Sequence, residues 1–103
     1  MTNKETLIKA RALIKKGWTQ KYYAKDKYGN PLEIPFDGGE PEGATCYCTL
    51  GAIFAAAGWG YQGQDCKILI RKIIDGSITD WNDHSSRTQA EVLSLFDRAI
   101  QEA

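Results

Sequence analysis

The sequence is short of most features that announce a function. Its formal charges cancel, with 13 basic and 13 acidic residues among 103, so no net field draws it to nucleic acid or to a charged surface. It has one histidine and three cysteines. The lone imidazole, His84, is the only one a catalytic mechanism could use, and the odd thiol count leaves at least one cysteine unable to pair within the chain. The main apolar run, Cys46 to Trp59, is shorter than the about 20 residues that cross a bilayer, so a membrane partner is not expected. Repeats, low-complexity tracts and a secretory signal are missing too. With three thiols, that predicts a reducing cytoplasm. A chain this long reads as one domain, 1–103, burying roughly two thirds of its unfolded surface. That burial is enough for folding without a disulfide or a metal.

What is present is helical pattern. The uncharged run from Cys46 to Trp59 predicts a buried helix over 45–58, with Thr45 as its N-cap and Gly58 closing it before Trp59. Thr2-Asn3-Lys4-Glu5 is a capping box, and Leu7, Ala10, Leu13 and Ile14 follow on one side of a helix over 4–16 that Gly17 ends. A third helix is expected over 64–75, with Cys66, Leu69, Ile70 and Ile73 at helical spacing. Thr88-Gln89-Ala90-Glu91 is a second capping box, opening a last helix whose stripe is Val92, Leu95, Phe96 and Ala99. Between the first two helices, the turn residues of 26–31 separate 20–25 from an alternating 31–34, which predicts a small β-hairpin within 20–34. The glycine-rich, acidic stretch 36–44 is a connector, or else a lid over the start of the central helix. The expected fold is α+β and mainly helical: about four helices packed around the central apolar helix, 45–58, with one hairpin, 20–34.

One ordered set of residues carries a resemblance. It comprises Gly17-Trp18-Thr19-Gln20, Cys48 with Gly51-Ala52, Trp81-Asn82-Asp83 before Arg87-Thr88, Glu91-Val92, and Asp97-Arg98-Ala99-Ile100. In this set the chain resembles a family of small bacterial and phage proteins known only as a domain of unknown function. The resemblance covers most of the chain and is thinnest over 26–44. It implies a cytoplasmic protein of bacterial or phage origin and implies no activity.

The chemical candidates are few. Cys46, Cys48, Cys66 and His84 depart from zinc-ligand spacing, and Cys66 falls on an apolar stripe, so neither metal nor cofactor is expected. Cys48 near a helix start could carry a thiolate with His84 as its base, but no motif joins the two. The densest polar-aromatic stretch is Trp81-Asn82-Asp83 with Arg87 and Thr88. Such residues can brace a loop. Turned outward, Trp81 and Trp18 offer stacking faces, Asn82 and Asp83 read polar edges, and Arg87 holds an anion. The helix starts near Thr45, Cys48 and Thr88 would add free amides. The first reading is therefore a non-enzymatic module that binds an anionic small molecule, such as a nucleotide, and sequesters it. Two others stay open: a protein-interaction domain, a homo-oligomer included, and a thiol-based or hydrolytic enzyme.

Overall fold

The computed structural model describes all residues, 1–103, and has an α+β, mainly helical fold of five helices and a three-stranded antiparallel sheet. The chain runs α1 (Asn3–Lys16), β1 (Ala24–Asp26), β2 (Pro31–Leu32), β3 (Ala44–Tyr47), α2 (Thr49–Ala57), α3 (Tyr61–Ile74), α4 (Ile78–Asp83) and α5 (Gln89–Glu102). Both capping boxes form. Thr2 and Glu5 exchange hydrogen bonds at the start of α1, and Thr88 and Glu91 do so at the start of α5. Those bonds satisfy amides that a helix start otherwise leaves without partners.

The central helix is shorter than its apolar run, and this corrects the expected span 45–58. Ala44–Tyr47 is a strand instead, pairing with β1 through Ala24↔Tyr47 and Lys25↔Cys46. Thr45 is thus no helix cap: it lies exposed in β3, and its hydroxyl donates to the Lys25 carbonyl at 3.3 Å. Cys48 is the cap, its Sγ accepting the Gly51 amide at 3.2 Å. From Thr49 to Ala56 every residue of α2 is buried. It packs against α1, α3, α4 and β3, as a helix without a polar face must. Gly58 (φ 78°) ends it, and Trp59 folds back to stack on Phe54 with ring centroids 3.9 Å apart.

Two glycines permit close approaches around this centre. A Cβ at Gly51 would run into the Tyr23 carbonyl, and one at Gly17 into the Thr45 carbonyl. Gly17 sits at φ 177°, extended backbone open to any residue, so nearness of β3 and not conformation calls for glycine there. The 36–43 connector crosses the end of α2, where the Gly39 amide donates to the Ala55 carbonyl at 2.7 Å. A lid over the start of that helix is therefore not what this stretch forms. The stretch 78–83, over which the sequence predicts no helix, is the short helix α4, capped by Ser77.

Candidate functional site

Asn82 is the polar centre of the molecule. It is 1% exposed on α4, and its amide joins three segments distant in sequence. Oδ1 accepts from Trp18 Nε1 at 2.8 Å, from the Thr49 amide at 2.9 Å and from the Thr49 hydroxyl at 2.7 Å. Nδ2 donates to the Thr19 carbonyl at 3.2 Å and to Asp83 Oδ1 at 3.0 Å. That uses both amide hydrogens and crowds the oxygen, so Asn82 has nothing left for a ligand edge. Trp18 is committed in the same way. Gln20 adds two bonds to the clamp, donating to the carbonyls of Asn82 and His84 at 3.0 and 2.8 Å. Asp83 Oδ1 also accepts the Lys21 amide at 2.8 Å, holding Lys21 at φ 74°.

Trp81, Arg87 and Thr88 belong to a different neighbourhood. The Arg87 guanidinium lies over the Trp81 ring at 3.9 Å, donates to the Trp81 carbonyl at 2.9 Å and pairs with Glu91 at 3.0 Å. Thr88 and Glu91 already serve the first turn of α5, as Asn82 and Cys48 serve that of α2. Both helix starts expected to hold an anion are thus occupied by the protein's own acceptors. Trp81 borders a shallow groove with Ile73, Ile74 and Leu95, whereas Asn82 and Asp83 border a separate cleft. The expectation that Trp81 and Arg87 share one pocket with Asn82 and Asp83 is corrected on this point: Trp81 lines the groove, Asn82 and Asp83 line the cleft, and Arg87 lines neither.

That cleft, about 540 Å³, lies between the hairpin and α4. The volume is within the range of small-ligand sites. Tyr22, Tyr23, Leu32 and Leu50 give it apolar walls, and Lys21, Glu33, Thr79 and Asp83 give it polar ones. Tyr23 and Trp59 meet in a T-shaped contact with ring centroids 5.3 Å apart, so one wall is anchored through Trp59 to Phe54 in the core. Most of these residues were not singled out in the sequence. Tyr22-Tyr23 reads there only as one face of a hairpin, and nothing local brings Glu33 toward Asp83.

Cys48 also borders the cleft, 5% exposed. Burial pushes its thiol up to about 11, outweighing the amides that would favour a thiolate. The expected depression at a helix start is therefore reversed. His84 Nδ1 is engaged with the Ser86 amide at 3.2 Å and the Ser86 hydroxyl at 2.8 Å, and makes no bond to Cys48. Cys46 and Cys66 turn to separate carbonyls, those of Lys25 and Asn3. No helix is long and apolar enough to cross a membrane.

Residues 1–102 match the model of a family described as "Family of unknown function (DUF6197)", and the chain belongs to that family. No curated protein and no solved structure matches it.

Proposed function

We propose that this member of the DUF6197 family is a non-enzymatic binding module whose site is the cleft between the hairpin and α4. One observation carries the reading. Lys21, at the cleft wall, holds a positive φ that side chains other than glycine seldom adopt, and Asp83, on the facing helix, pins its amide. Such a conformation costs about 1–3 kcal/mol and persists where surrounding structure enforces it, often at ligand sites. Here the enforcing group and the strained residue both line the same cleft. Capture without turnover fits the surroundings, since the one thiol at the cleft is held protonated and the one histidine is engaged elsewhere. A nucleotide is a poor fit, because the anion-holding groups named from the sequence are bonded internally and the cleft carries two carboxylates to one ammonium. The family resemblance supports a bacterial or phage-infected cytoplasm as the setting.

Native mass spectrometry of protein purified from cells tests this. The expected result is a small molecule bound one to one, absent from a Thr79→Trp variant. Thr79 is exposed at the cleft, so a bulky ring there fills the space without entering the core. A wild-type protein with no bound molecule, and with no melting shift across a metabolite panel, overturns the reading.

A further inference from the structure

Resting on that reading, the geometry points to a ligand with a protonated amine or guanidinium head and a flat apolar body. Two carboxylates, Asp83 and Glu33, line the cleft, and neither enters an ion pair with the protein. Asp83 is the fixed one. Its Oδ1 takes two hydrogen bonds, from Lys21 N and Asn82 Nδ2, so the carboxylate cannot rotate freely. Its Oδ2 receives none from the protein and remains an acceptor. A carboxylate oxygen held this way is preorganised for a charge-assisted bond from a cationic donor. Lys21 is the only cation in the lining, and its side chain is exposed and unpaired while its backbone is pinned. One ammonium in the lining does not balance two carboxylates.

The rest of the cleft fits the other half of such a molecule. Tyr22 and Tyr23 present ring surface, and aromatic faces attract cations as well as apolar bodies. Lys25 Nζ lies 5.1 Å from the centroid of the Tyr22 ring, so one face of that ring is already taken by the protein's own cation. Leu32 and Leu50 supply further apolar wall.

The test is calorimetric titration of the full chain with tyramine and phenethylamine, beside 4-hydroxyphenylacetate and adenosine monophosphate. The amines should bind, with the acid and the nucleotide at least about tenfold weaker. Asp83→Asn keeps an oxygen for the Lys21 amide while removing the charge, and should weaken tyramine by at least about tenfold, the effect of 1.4 kcal/mol. If that variant melts early, Glu33→Gln, away from the Asn82 clamp, carries the comparison and should also weaken the amine. Equal binding of the acid, or unchanged amine affinity in the charge-removed variant that folds, overturns the cationic class. Should the acid or nucleotide bind and Thr79→Trp block it, the ligand class falls and the cleft stands. Binding of none of the four overturns the cationic class, and the cleft itself then rests on the co-purified molecule.

Discussion

Asn82 holds three segments that are otherwise unrelated: the Trp18–Lys21 stretch, the start of α2, and α4. A side chain with five internal bonds has a structural value that depends on its partners having no alternative. Thr49 is 0% exposed, so its amide and hydroxyl have no water to turn to once Asn82 is gone. Stranding a buried donor costs about 1–3 kcal/mol, whereas making the bond gains only about 1 kcal/mol net. Asn82→Ala should therefore lower unfolding stability by about 2–4 kcal/mol, the range of a broken buried network. The check is the urea midpoint at unchanged slope. A loss under about 1 kcal/mol would mean that Thr49 and Trp18 find other acceptors. The Trp-Asn-Asp run stood out in the sequence as polar and aromatic, yet its role could not be read there. The partners of Asn82 lie 33 and 64 positions away, and residue type does not say whether an amide faces inward.

Among the elements, α1 and α5 were legible because each carries a capping box at its start and an apolar stripe at helical spacing, all within a few residues. The start of α2 was hidden, since β3 and α2 share one continuous uncharged run. Only pairing with β1 makes Ala44–Tyr47 a strand, and pairing is not local. Six residues of α4 are too few to show a helical period. The cleft lies between the hairpin, which was legible, and α4, which was not, and their meeting is not local, so the cleft was invisible from the sequence. Gly51 shows how the sheet decides the helix. In isolation, Gly→Ala within a helix gains about 1 kcal/mol. At this position the new methyl would meet the Tyr23 carbonyl, and backbone cannot turn aside as a side chain can. Overpacking costs about 1–3 kcal/mol, so it outweighs the propensity gain. Gly51→Ala should melt below wild type and Gly51→Leu further below. An alanine variant as stable as wild type would show that the hairpin can move off α2.

Across the whole molecule, the groups whose titration folding changes fall into two sets, and they bound stability from opposite sides. Glu5 is held below the usual carboxylate range by the Thr2 amide, Asp26 by the Asn30 amide first, and Glu91 by the Thr88 hydroxyl first. A depressed folded value stabilises above the unfolded value, about 4, and the gain is lost as pH falls through the folded one. All three carboxylates are solvent-exposed, so this acid arm should be shallow. The alkaline arm has buried groups behind it. Burial pushes Cys48 and Cys66 up to about 11 and Tyr47 up to about 12. Above about pH 8.5 the unfolded chain releases thiol protons that the folded chain retains, so stability falls as pH rises. The slope should approach about 1.4 kcal/mol per pH unit for each thiol until pH nears the folded values. Cys66→Ala separates titration from packing. It should cost stability at neutral pH, because the thiol is fully buried between α1 and α3, and yet flatten the fall between about pH 9 and 11. Urea unfolding at half-unit pH steps measures both. An equally steep alkaline fall in the variant would mean that Cys66 ionises in the folded chain much as it does in the unfolded one.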